Sequence, residues 1–246
     1  MKILVIFGSK SDREVYDRVA KRLEEKGCDY ELRIASAHKT PELVDEIMKK
    51  DYGGIIAGAG LAAHLPGVVA SKKLCPVIGV PCTGAYDGLD AFLSIVQMPP
   101  GIPVLSVGVN NAEGAAEAAA KILKGFSEVN IVGEEKAEKV ARVLGELGVK
   151  FKKGSGFEKD KVNLALVKLG EKAEEREELI IYCPVGDTTA KDALKSAEAA
   201  GSGLWVGVNA AENAAVAAAE IIGGKLDDYR EKIAKKVIDA DMEEGK

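Results

Sequence analysis

The chain has 246 residues, 47% of them apolar and 30% charged, which is enough apolar material to bury a core in one large domain or two small ones. Its net charge of −5 argues against a general nucleic-acid binder, which needs a basic face. No apolar run approaches the ~18–20 residues of a membrane span, and the opening MKILVIFG is too short for a secretory leader, so a cytoplasmic protein is expected.

In chain order, KILVIF (2–7) reads as a buried strand that ends at Gly8. Residues 12–26 place Val15, Val19 and Leu23 at helical spacing, closed by Gly27. YELRIA (30–35) is strand-like, and Thr40-Pro41 predicts a helix over 41–50, because proline fits the first helical position and keeps the residue before it extended. GGIIAG (53–58), a helix through 68–73, PVIGVP (76–81), a helix around 88–97 and PVLSVGV (103–109) follow. Continuous apolar strands with helices between them predict an α/β fold, a three-layer doubly wound parallel sheet of flavodoxin-like or Rossmann-like type. Ligands of such sheets bind at the carboxyl ends of the strands, in the loops that lead into helices.

The second half repeats the first. VGVNNAEGAAEAAAKIL (107–123) and VGVNAAENAAVAAAEII (206–222) agree at most positions, and VNIVGEEKAEKVARVLGELGVKF (129–151) parallels residues 3–31. ELIIYCPVGD (178–187) is aligned with GGIIAGAGLA (53–62), which puts the missing stretch of the shorter second copy near 75–103. The expected organisation is a first domain over 1–125 and a shortened, degenerate copy with a charged C-terminal helix over 126–246. Cys28, Cys75, Cys82 and Cys183 show no metal-like spacing and are expected as free thiols, with no metal site.

Chemistry concentrates in three first-half loops. Gly8-Ser9-Lys10-Ser11-Asp12 combines a glycine turn, hydroxyls and free helix-start N–H groups, which suit a phosphate, with Asp12 placed for ribose hydroxyls; Ser11 or Asp12 acting simply as a helix cap is the alternative. In ASAHKTPE (35–42), His38 and Lys39 stand just outside a helix start. Imidazole, with a solution pKa near ~6.5, exchanges protons at neutral pH, and lysine can meet a phosphate; a loop histidine bonded to a backbone carbonyl is the alternative. GAGLAAHLPG (58–67) brings bare backbone to a strand end, where His64 reads more readily as a structural histidine than as a ligand or catalyst. The second copy has GEEKA and GSGFE in the first two places and no histidine after His64.

GSKSD, SAHKTP, AGLAAHLPG and GLDAFLSIVQMPPGIPV resemble, in order and spacing, the PurE family of purine biosynthesis, over about residues 1–125. The resemblance implies an enzyme that forms 4-carboxy-5-aminoimidazole ribonucleotide without metal or organic cofactor. One class of the family moves a carboxylate from N5-carboxyaminoimidazole ribonucleotide to ring carbon C4; the other carboxylates aminoimidazole ribonucleotide directly with CO2. It implies His38 as general acid and base, with Ser9, Ser11, Asp12, Ser36 and Lys39 on phosphate and ribose. Gly58, Ala59, Gly60, Leu61, Ala62 and His64 would line the base and carboxylate. It also implies a homo-oligomer, octamer-like, which two fused copies would mimic as a tetramer. The mutase class usually carries arginine where this chain has Lys39, yet AAHLPG and SIVQMPPGIPV resemble that class, so the mutase is expected. Arg13 replaces a common tryptophan. A non-catalytic nucleotide sensor is the reading from a different class.

Overall fold

The computed structural model describes residues 1–245. The first half runs β1 (Ile3–Phe7), α1 (Arg13–Glu25), β2 (Tyr30–Ile34), α2 (Pro41–Met48), β3 (Gly54–Ala59), α3 (Leu65–Lys72), β4 (Val77–Pro81), α4 (Leu89–Val96), β5 (Leu105–Ser106) and α5 (Ala112–Ile122). The second runs β6 (Val129–Val132), α6 (Ala137–Glu146), β7 (Phe151–Gly154), β8 (Val162–Lys168), β9 (Leu179–Val185), α7 (Ala190–Ala199), β10 (Leu204–Trp205), α8 (Ala211–Ile222) and α9 (Asp227–Glu244).

Among the described residues ten strands join one sheet, ordered β2-β1-β3-β4-β5-β10-β9-β8-β6-β7. Each half has the same strand order, read from its own first strand, and is parallel within itself. The sheet is nevertheless not parallel throughout, as the sequence suggested: β5 and β10 meet antiparallel, Trp205 opposite Ser106. The physical reason is edge protection. Two like halves joined at equivalent edges by a rotation must run in opposite directions, and the junction removes two unpaired edges. Pairing defines only two residues of the expected 103–109 strand.

The apolar alternation of the strands sends one set of side chains to each face. Ile3, Val5 and Phe7 pack with α1 and α5, in a core continuous with that beneath α6 and α8. Leu4, Ile6, Ile55 and Ala57 pack under α2, α3 and α4 on the other face. The second half covers that other face differently, which corrects the sequence alignment. No helix lies between β7 and β8 or between β8 and β9, so the second half lacks counterparts of α2 and α3 rather than of the stretch 75–103. Residues 178–187 therefore occupy the fourth strand position, equivalent to 76–81, not to 53–62. The main chain agrees: Asn209 N donates to the Pro184 carbonyl at 2.8 Å just as Asn110 N donates to that of Pro81 at 2.8 Å. The short apolar run of β9 resembles both β3 and β4, so pattern alone could not choose.

Where the helices are missing, the fully buried Asn130 and Asn163 tie the loop after β7 to the sheet. Asn130 Nδ2 donates to Asn163 Oδ1 at 2.9 Å and to the Gly156 carbonyl at 2.8 Å; Asn163 Oδ1 accepts from Glu158 N at 2.9 Å. Amide side chains thus satisfy loop backbone that would otherwise be buried unpaired. At the junction, Phe92 and Val96 of α4 meet Ala199 of α7 over the stacked Tyr182 and Trp205 rings, whose centroids are 4.7 Å apart.

Close packing makes one β4 position unforgiving. A Cβ at Gly79 would lie 2.3 Å from Ile95 Cγ2 and 2.9 Å from Val104 Cγ1. Gly79→Ala is expected to lower stability by about 1–3 kcal/mol through overpacking, read as a lower urea midpoint at unchanged slope.

Candidate functional site

The strand order places β1 between β2 and β3, so the loops after these strands stand side by side at one sheet edge. Main-chain bonds extend the strands to that edge: Gly8 N donates to Gly58 O at 3.0 Å, Ala35 N to Phe7 O at 3.0 Å, and Cys82 N to Ala59 O at 2.9 Å. The gap between β1 and β3 is where chain order reverses across the sheet, the place where open α/β sheets take ligands. His38, from the loop after β2, and His64, from the loop after β3, reach toward each other across the end of β1. Their rings meet edge to face with centroids 4.7 Å apart. Both are exposed, so the two imidazoles stand at a solvent-open shelf.

Each loop is held by its own residues. Ser9 caps a short 3-10 turn (Lys10–Asp12): its hydroxyl accepts from Ser11 N at 3.1 Å and from Ser11 Oγ at 2.8 Å. The capping residue is therefore Ser9, not Ser11 or Asp12; Asp12 precedes α1 without a side-chain cap bond. Its carboxyl is partly buried, which pushes its pKa up, opposed by a 3.3 Å bond from the Ser11 hydroxyl. In the second loop Ser36 and Thr40 close a turn. Ser36 N donates to Thr40 Oγ1 at 2.9 Å, Thr40 Oγ1 to the Ser36 carbonyl at 3.2 Å, and Lys39 N to Ser36 Oγ at 3.3 Å. Thr40 spends its hydroxyl on this turn rather than on capping α2, leaving His38 and Lys39 exposed at the turn's crest.

The third loop supplies backbone. Gly58 and Ala59 are buried, Gly60 half-buried, and Leu61 exposed at φ 54°. His64 precedes α3, which starts at Leu65, earlier than the sequence pattern placed it. Its Nδ1 lies 2.5 Å from the Ala62 carbonyl. A carbonyl only accepts, so Nδ1 carries the proton and Nε2 of a neutral His64 is left as an acceptor. The backbone-bonded histidine is thus His64, whereas His38 meets an imidazole.

Sequence reasoning named these residues but missed Cys82, Thr83 and Asn110 beside them. A Cβ at Gly60 would lie 3.3 Å from the Cys82 carbonyl, so β4 forms the shelf's far side. Burial pushes the Cys82 thiol up to about 12, with the Asp12 charge acting in the same direction, so it stays protonated at neutral pH. The signal for Asn110 was present as the repeated VGVN (107–110 and 206–209), without the backbone geometry that gives it meaning. An open groove of about 1570 Å³ runs elsewhere, along α5 between Lys26, Glu117, Lys121 and Gly203, and none of the shelf residues line it. Among the described residues no cluster of three or more His, Cys, Asp or Glu side chains could hold a metal ion, and no helix is long and apolar enough to cross a membrane.

Hydroxyls, a cation and paired imidazoles at the switch point of a doubly wound sheet have the chemistry to meet a small polar ligand. Comparison with known proteins identifies the family: the AIR carboxylase model matches residues 2–142, and the chain belongs to that family. It is 49% identical over 152 residues to the N5-carboxyaminoimidazole ribonucleotide mutase of Methanocaldococcus jannaschii, covering 61% of this chain and 90% of that one. It is 50% identical over 123 residues to the chloroplastic phosphoribosylaminoimidazole carboxylase of Vigna aconitifolia, covering 48% of this chain and 22% of that one. The crystal structure of Treponema denticola PurE aligns at 26% identity and TM-score 0.42, covering 59% of this chain and 98% of that one.

Proposed function

We propose that residues 1–125 form a catalytic domain that makes 4-carboxy-5-aminoimidazole ribonucleotide (CAIR) in purine biosynthesis, by moving the carboxylate of N5-carboxyaminoimidazole ribonucleotide to C4. Family membership supports the pathway, and the approach of His38 to His64 across the end of β1 carries the site assignment. Protonated His38 gives its proton to the exocyclic nitrogen as the N–C bond breaks and CO2 is released beside the ring. C4 attacks that CO2, the new C–C bond forms, and neutral His38 then takes the proton from C4, so the cycle closes without net change in protons. Proton transfer of this kind contributes ~10²–10⁴-fold, and holding CO2 next to the ring adds proximity.

Ser9, Ser11, Asp12, Ser36 and Lys39 bind phosphate and ribose in this reading. The backbone from Gly58 to Ala62 lines the base, and His64 accepts through Nε2. Neither a metal nor an organic cofactor takes part. Residues 126–246 are a second copy that kept the strand order and lost the chemistry: GEEKA and GSGFE stand where the first half has GSKSD and ASAHK. The protein works in the cytoplasm as a homo-oligomer, four chains standing in for eight subunits; a monomer in light scattering contradicts that assembly.

One residue favours a second reading. Lys39 is a point charge where the mutase class usually has a bidentate arginine, as in the direct carboxylases. Two assays separate the readings. The mutase forms CAIR from the N5-carboxy substrate without added bicarbonate; a direct carboxylase forms it only from aminoimidazole ribonucleotide plus bicarbonate. Binding without product from either donor contradicts both and favours a sensor.

A further inference from the structure

The loop from Thr83 to Gly88 joins β4 to α4 beside the shelf. Tyr86, Asp87 and Gly88 have φ of 51°, 54° and 83° in succession, and Tyr86 is 80% exposed, so the loop has little packing of its own. A Cβ at Gly84 would lie 3.5 Å from Leu61 Cδ2 and 3.6 Å from Leu61 N, which seats the loop on the shelf backbone.

Asn110 ties this loop down. Its φ of 55° is left-handed, a region asparagine tolerates. Its Oδ1 accepts from Thr83 N at 2.9 Å, its Nδ2 donates to Thr83 Oγ1, and its own N donates to the Pro81 carbonyl at 2.8 Å. Arg18 completes the clasp from α1. Its Nη2 donates to the Asn110 carbonyl at 2.6 Å, while Nε and Nη2 each donate to the Glu113 carboxylate at 2.9 Å.

The second half contains the same clasp without the shelf. Asn209 has φ 61°, its N donates to the Pro184 carbonyl, and its amide exchanges bonds of 2.7 and 3.4 Å with the Gly186 backbone. Gly186 stands in the place of Thr83, so the hydroxyl is gone, and GEEKA and GSGFE replace the chemistry-bearing loops nearby. The asparagine as such serves the strand pair. Only in the first half does its amide reach a loop that rests on the shelf.

We propose that Asn110, through Thr83, is a positioning residue for the ribonucleotide site, holding loop 83–88 against Leu61 as one wall of the shelf. This rests on the enzymatic reading above. The wall adjoins Gly60 and Leu61 rather than His38, so losing it weakens ground-state binding and leaves proton transfer intact.

The test compares Asn110→Gly with Asn209→Gly in the full chain, by steady-state kinetics with N5-carboxyaminoimidazole ribonucleotide and by thermal melts. Glycine takes either left-handed φ without strain, so each variant removes one amide clasp and keeps its turn. Asn110→Gly is expected to raise KM about tenfold, with kcat within about twofold and its pH profile unchanged. Asn209→Gly is expected to lower Tm comparably with KM unchanged, and Thr83→Ser, which keeps the hydroxyl, to retain the parental KM. Equal KM in the two glycine variants, whether raised in both or in neither, overturns the assignment. If the parent protein binds CAIR without turnover, the enzymatic reading fails while the clasp is still decided by calorimetry. A roughly tenfold affinity loss confined to Asn110→Gly supports it, and equal affinities overturn it. A parent that neither binds nor turns over overturns both.

Discussion

His38→Asn is expected to fold as the parent does and to lose turnover by at least about 10²–10⁴-fold, the usual contribution of one positioned acid–base group. The stability half of this expectation comes from exposure: His38 sits at the crest of a turn closed by Ser36 and Thr40 and buries no ring in the core. The activity half comes from the chemistry. Asparagine keeps a polar side chain of similar reach but can neither deliver a proton to the departing nitrogen nor remove one from C4. His64 approaches from the other side of β1 and, with Nδ1 bonded to the Ala62 carbonyl, holds substrate through Nε2 in this reading. Full activity in His38→Asn, with an unchanged melting curve, contradicts the role given to it.

Arg230→Ala carries the largest expected stability loss, about 3–5 kcal/mol at alkaline pH, because it strands a buried carboxylate. Arg230 on α9 donates to Glu220 Oε1 on α8 at 2.8 Å, and the two side chains are only 13% and 2% exposed. Burial outweighs the arginine and pushes the Glu220 carboxyl from 4.5 up to about 8. The raised value sets the sign of the pH dependence. Between about 4.5 and 8 the folded state holds a proton that the unfolded chain has released. The contribution of this group is therefore full below 4.5 and is lost as pH rises through about 8. The neighbouring Cys75 and Tyr229 are also pushed up, Cys75 to about 11, so neither titrates in that window. Urea midpoints of the parent should fall from about pH 5 to about pH 9 more steeply than those of Glu220→Gln. Equal slopes, or an Arg230→Ala variant as stable as its parent at alkaline pH, contradict this account.

Much of the first half could be read from sequence because its signals are local. Apolar runs ending in glycine gave β1 and β3, Thr40-Pro41 gave the start of α2, and the three loops named the shelf. The likeness of the two halves in strand order is foreshadowed locally, since VGVN followed by an alanine-rich helix occurs twice. What was not legible depends on contacts between distant segments. The antiparallel junction rests on Trp205 meeting Ser106, and no local pattern specifies strand direction across such a seam. The position of β9 depends on its neighbours β8 and β10, whereas its apolar run fits two places in the fold. Ser9 rather than Ser11 as the capping residue turns on one hydroxyl's direction within a single turn. Asn110 escaped notice because its value lies in a left-handed φ and in a partner 27 residues away.

We propose a ribonucleotide site in the first half of the chain and none in the second. Titration calorimetry of the full chain with CAIR tests it most directly. One ribonucleotide is expected to bind per 246-residue chain, with binding weakened by substitution of Lys39 and unaffected by substitution of Glu158, which stands in its place in the second half. Two equivalents bound per chain, or none, contradict it.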